Sequence, residues 1–265
     1  MSNHSLEYKG YVKSHTVESM NNLDLNQKII SNIVKQLRIN PLDAMQRKKP
    51  NNVLLISADY LPKDVSNVAL QCKSLADGLV DRGINVHVIS VDDWKAGQTV
   101  EMGAVKVHYV GNTIKAYSPL TWALTIGMDI CRVAADIYHT EGNIDLIHAH
   151  DWMMFPVGIN LQTAFKRPLI VNYYSLQDQR APGIMNGYTE AVKQIEWRGS
   201  SESRRILVNE DWMKRELINY YSPPKDKVNV IGPKAEDWTK DIVRDYSWVM
   251  KNWWGDETIT GATNR

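Results

Sequence analysis

The feature that most narrows the fold of this chain is an alternation between short apolar runs and stretches of helical periodicity. Apolar runs rich in β-branched residues fall at 53–56, 86–89, 105–110, 145–148, 168–171, 205–208 and 228–231. Most are apolar on both faces of an extended chain, the pattern of strands covered from both sides. Between the first two, Val68, Cys72, Leu75, Ala76 and Leu79 recur at steps of three and four, and Gly83 then stops the helix. Further helical stretches run over 120–138, 153–165, 190–197 and 211–220, the last bracketed by Asp211 and Pro223-Pro224. Strand and helix alternating at this spacing predict right-handed βαβ units. The expected class is α/β, a single doubly wound, mostly parallel sheet with helices on both faces.

Ligands of such sheets bind beyond the carboxyl ends of the strands, near the point where strand order reverses. Three loops are therefore candidates: residues 57–67, 148–152 and 172–187. The second carries the densest set, because the apolar run from Asp145 leads straight into His148, His150, Asp151 and Trp152. A histidine there can donate hydrogen bonds to sugar hydroxyls or move a proton, and Trp152 can offer an apolar platform or fill the core. His148 and His150 also share a face of an extended chain, as metal ligands would. No histidine follows His150, however, and His4, His15, His87, His108 and His139 show no paired spacing, so no metal site is expected. The plainer arrangement has His148 buried and satisfied while His150 alone reaches the cleft.

Composition excludes several classes. Lys and Arg total 31 against 30 Asp and Glu, a net +1, so no overall field recruits nucleic acid or anionic lipid. The two cysteines, Cys72 and Cys131, both lie in helix-like patterns, which argues against a disulfide scaffold or cysteine zinc site. The first residues lack the apolar core of a signal peptide, and no run reaches the roughly 18 apolar residues of a membrane span. A cytoplasmic location is expected. No G-x-G-x-x-G follows a strand, and neither a phosphate-binding G-x-x-x-x-G-K-[ST] loop nor a G-x-S-x-G elbow occurs, which argues against dehydrogenase, NTPase and hydrolase readings.

Three parts are expected along the chain. Residues 1–50 read as a polar leader with an amphipathic helix near 23–37, where Ile29, Ile30, Ile33, Val34 and Leu37 share one side. Residues 51–235 form the main domain. Residues 236–265 hold a Trp-rich helix, with Trp238, Ile242, Tyr246, Val249 and Trp253 on one stripe, packing back on the domain and followed by a flexible tail.

The order of segments over about residues 51–235 resembles the N-terminal, Rossmann-like domain of GT-B retaining glycosyltransferases of the glycogen and starch synthase type. The pieces that carry the likeness are the first strand with Asp59 to Pro62, the helix leading to Asp81-Arg82-Gly83, and the segment from Asp145 to Trp152. Arg167-Pro168, Ser203-Arg204-Arg205 and Lys227-Val228 follow in the same order. The resemblance implies a chain that binds the acceptor, with His150 as the catalytic residue contacting the sugar and Asp151, Trp152, Tyr174 and Asp59 as substrate-binding residues. It implies no cofactor, a nucleotide sugar as donor substrate, and Ser66 and Asn67 where the family's donor-phosphate loop lies.

Three departures stand beside these matches. The family's Gly-Gly pair is replaced by Ser66-Asn67, which also reads as a plain helix cap. Its histidine after the fifth apolar run is replaced by Asn172-Tyr173-Tyr174, and its Asn-Gly hinge by Gly232-Pro233. Transfer in this family needs both walls of the cleft to position reactants and exclude water. The expectation is thus an acceptor-side domain active only with a donor-domain chain or a homo-oligomer to complete it. The alternative is a non-catalytic binding or scaffold subunit derived from a glycosyltransferase. The nine tryptophans suit either a partner surface or packing.

Overall fold

The computed structural model describes residues 49–62, 65–233 and 236–253. Among them the strands are β1 (Asn52–Ser57), β2 (Asn85–Val91), β3 (Thr99–Met102), β4 (Val105–Val110), β5 (Leu146–His150), β6 (Leu169–Tyr173), β7 (Arg205–Val208) and β8 (Val228–Val230). The helices are α1 (Asn67–Val80), α2 (Pro119–Thr140), α3 (Phe155–Phe165), α4 (Gln177–Arg180), α5 (Gly187–Glu202), α6 (Asp211–Tyr221) and α7 (Trp238–Trp253). One sheet runs in the order β3-β4-β2-β1-β5-β6-β7-β8. Every pairing is parallel except that of β3 with β4. The chain builds outward from β1 through β2 and β4, then returns to β5 on the other side of β1. The order therefore reverses between β1 and β5, which opens a crevice at their carboxyl ends.

Strand alternation divides the core in two. Val53, Leu55, Leu146, Ile170 and Leu207 face α1 and α7, where Cys72, Leu75, Leu79, Ile242, Tyr246 and Val249 meet them. Leu54, Ile56, Ile147, Ala149 and Val171 face the other way, toward Ile126 and Ile130 of α2, Phe155 and Val157 of α3, Val192 of α5 and Leu217 of α6. Each such aliphatic side chain contributes about 1.5–3 kcal/mol on full burial, so this two-sided covering dominates the stability.

Local chemistry sets the element ends. The Ser66 hydroxyl accepts the Ala69 amide and starts α1. Gly83, at a φ of +70°, turns the chain from α1 into β2, a left-handed position that favours glycine. Ser118 and Thr121 form a capping box that opens α2 behind Pro119. Two elements escaped the sequence reading. Strand β3 is a half-exposed edge strand with polar positions, tied to β4 by a tight turn in which Gly103 takes a φ of +65°. Helix α4 is a single polar turn. Strand β5 also runs two residues further than its apolar stretch, because Ala149 and His150 still pair with Ile56 and Ser57 on one side and Val171 and Asn172 on the other.

Helix α7 buries Ile242, Tyr246, Val249 and Trp253 of the expected stripe, while its first member, Trp238, is half-buried. The leader helix near 23–37 and the tail beyond Trp253 lie outside the described residues. Among those described, no helix is long and apolar enough to cross a membrane.

Candidate functional site at the carboxyl end of the sheet

His150 is the last residue of β5 and sits between Ser57 of β1 and Asn172 of β6. Its parity along the strand matches Leu146, so both His148 and His150 point to the α1 and α7 side. Their rings stack with centroids 4.3 Å apart. The His148 Nδ1 shares a hydrogen bond of 2.7 Å with the Tyr246 hydroxyl of α7, and the His150 Nδ1 shares one of 2.8 Å with the Tyr174 hydroxyl, just past β6. Burial pushes the His150 imidazole down to about 3 and holds His148 well below the usual histidine range, so both are neutral at pH 7.

The expectation that His150 emerges into an open groove is overturned, since only 1% of it is exposed. The reason is the extra length of β5: His150 ends a buried strand rather than beginning a loop, and Tyr174 closes over it. His148 is buried as expected, although its Nε2 has no partner among the described residues.

Asp151 leaves the strand at a φ of +69°, a backbone position that costs a non-glycine residue about 1–3 kcal/mol. Burial pushes its carboxyl up to about 6, against the Trp152 amide and the Arg180 charge, which favour the ionised form. Trp152 is buried, and the Arg180 guanidinium lies 5.5 Å over its ring. That arrangement makes Trp152 a core residue and a seat for Arg180 rather than an exposed platform. Arg180 in turn pairs with Glu196 of α5, whose side chain is fully buried. Glu196 also accepts the Gln177 amide and the Tyr221 hydroxyl.

Sequence reading missed Glu196. The signal was present, a carboxylate on the apolar stripe between Val192 and Gly199 that requires a buried partner. Four polar atoms in this region, His150 Nε2, Asp151 Oδ1, Asn172 Nδ2 and Gln179 Nε2, are buried without a partner among the described residues.

The open space lies elsewhere at the same end of the sheet. A crevice of about 510 Å³ is lined by Asp59 after β1, Asp93 after β2, Tyr117 and Ser118 before α2, Trp122 on α2 and Met153 after β5. Of the residues singled out from sequence, only Asp59 lines it. Asp59 also accepts the Ser66 hydroxyl at 2.8 Å, which places a carboxylate at the amino end of α1, where a phosphate would otherwise sit. Ser66 is thus committed as a cap, and Asn67 is the first, exposed residue of the helix. Among the described residues no group of three or more His, Cys, Asp or Glu is placed to hold a metal ion.

The profile of Glycosyltransferase Family 4 matches residues 68–233, from the start of α1 to just past β8. The chain belongs to this family. An uncharacterized glycosyltransferase of Methanocaldococcus jannaschii is 29% identical over 203 residues, covering 75% of this chain and 50% of the relative. A D-inositol 3-phosphate glycosyltransferase of Rhodococcus jostii is 21% identical over 206 residues, covering 72% and 45%. The chain thus spans about half the length of the curated relatives it matches. A solved piece of sucrose-phosphate synthase from Thermosynechococcus elongatus superposes with a TM-score of 0.56 at 13% identity, covering 77% of this chain and 99% of that piece. The fold is therefore that of the N-terminal domain of a GT-B glycosyltransferase, with the family 4 match spanning most of the sheet.

Proposed function

We propose that this family 4 chain supplies the acceptor-binding wall of a glycosyl-transfer site and becomes catalytic only when a second domain closes the crevice from the donor side. The observation that carries the reading is the crevice itself. It lies where strand order reverses, and it combines two carboxylates, Asp59 and Asp93, with two aromatic rings, Tyr117 and Trp122. Carboxylates accept hydrogen bonds from hydroxyls while aromatic rings cover the CH faces of a sugar or cyclitol, so the lining suits a neutral, hydroxyl-rich acceptor. The nucleotide sugar would be held by the facing wall, supplied by a separate donor-domain chain or by a second copy arranged to provide it.

The sealing of His150 favours a second reading, a binding subunit that no longer performs the chemistry. In the transfer reading, Tyr174 must move for His150 to touch substrate. The two readings part in one experiment: the native assembly is purified and assayed for hydrolysis or transfer with a panel of UDP-, GDP- and ADP-sugars. Transfer by the assembly that Asp59→Asn and Tyr117→Ala weaken through KM supports the acceptor wall. Turnover by the chain alone, or none by any assembly, defeats it.

A further inference from the structure

The amino end of the same sheet carries a second cavity, of about 610 Å³, between the end of α5, the loop before β8 and the last turns of α7. It lies across the sheet from the crevice and shares no lining residue with it. Its walls include Trp248 and Trp253, placed five apart on α7, together with Arg204, Lys227, Glu202 and Asp226. The Arg205 guanidinium covers one side of the Trp248 ring at 4.1 Å, yet 44% of Trp248 stays exposed. The Arg204 guanidinium lies 4.7 Å over the ring of Trp253.

The charges of this lining decide what it can hold. Lys227 donates two of its ammonium protons to the Ser200 and Ser201 carbonyls, at the negative end of the α5 dipole, so its charge is offset locally. Arg204 and Lys227 stand against Glu202 and Asp226, so the lining carries two charges of each sign and no net formal charge, which favours neither an anion nor a cation. What remains is an exposed indole face beside donors and acceptors of both kinds. The Ser203 hydroxyl and the Trp253 indole N–H are buried behind this lining without a partner among the described residues.

We infer that this cavity is a saccharide-binding site, in which a neutral sugar ring stacks on Trp248 and its hydroxyls bridge the acidic and basic side chains. A cavity of this size falls in the range used for small ligands and has room for one or two sugar rings. The inference stands independently of the crevice. It would hold equally for a catalytic half or for a binding subunit, and it gives the chain a way to stay on a glycan while the opposite end works.

The test is a titration of the full chain with neutral trisaccharides built of glucose or of mannose, with inorganic phosphate and UMP as anionic controls. Binding is followed by tryptophan fluorescence and by calorimetry. The expected result is saturable binding of at least one sugar, weakened about tenfold or more by Trp248→Ala and unchanged by Trp94→Ala, an exposed indole that lines neither cavity. Trp248 is half exposed, so its replacement leaves the fold intact, which a circular dichroism melt checks. A sugar bound equally well by Trp248→Ala, a sugar lost only with Asp59→Asn and Tyr117→Ala, binding of phosphate or UMP alone, or no binding at all would each overturn the assignment.

Discussion

Two regions at one end of one sheet carry chemically suggestive side chains and have opposite fates. On the α1 and α7 side, His148, His150 and Tyr246 form a sealed polar chain. On the other side of the carboxyl edge, Asp59, Asp93, Tyr117 and Trp122 line open space. The difference is a matter of cover. Helix α7 lies over the histidines and Tyr174 folds across their outer end, whereas open space remains between the loops that follow β1 and β5, where the strand order reverses. Chemical potential in a strand is thus converted into a site only where the cover stops.

The contrast predicts a graded set of outcomes. The largest effect belongs to the sealed side, where Arg180→Met leaves the Glu196 carboxylate buried without its cation. It should cost about 3 kcal/mol, a fall of roughly 6–12 °C in thermal midpoint. A loss below about 1 kcal/mol would show that Tyr221 and the Gln177 amide suffice.

Next comes the pH response of His150. Its folded value of about 3 lies below the unfolded 6.5, so its contribution is complete above pH 6.5 and is lost as pH falls toward 3. Between pH 7 and 5 that loss is about 2 kcal/mol. Asp151 works in the opposite sense, because its value is raised from 3.8 to about 6 and protonation stabilises the fold below that. Comparing wild type with His150→Gln by denaturant unfolding at both pH values isolates the histidine, and the variant should lose less on acidification. Equal slopes would place His150 in water.

The smallest effect belongs to the open side. Asp59→Asn and Tyr117→Ala should each change unfolding free energy by less than about 0.5 kcal/mol while weakening acceptor binding, because Tyr117 is 86% exposed and Asp59 holds only a surface cap. A large loss of stability from either would merge the two regions into one structural unit.

Much of the architecture was legible because buried parallel strands announce themselves as uninterrupted apolar runs, and α1, α2 and α7 as stripes of three and four. Strand β3 was not, since an edge strand buries one face and its Thr99 and Glu101 read as loop. The histidines misled for the converse reason. Polar residues mark the end of an apolar run but not the end of a strand, and only the register against Ser57 and Asn172 shows that β5 continues through His150. The crevice residues Asp93, Tyr117 and Trp122 come from loops and a helix with no shared sequence motif. They are brought together by topology alone, so nothing local could point to them.

Helix α7 has a consequence for how such a protein is divided or joined. It comes from the end of the chain, yet its Tyr246 hydroxyl anchors the innermost imidazole and its apolar stripe completes one of the two cores. Any polypeptide cut before Trp238 would trade a dry interior for wet imidazoles. A hybrid that joins a foreign domain to this fold must therefore splice around the helix and keep it.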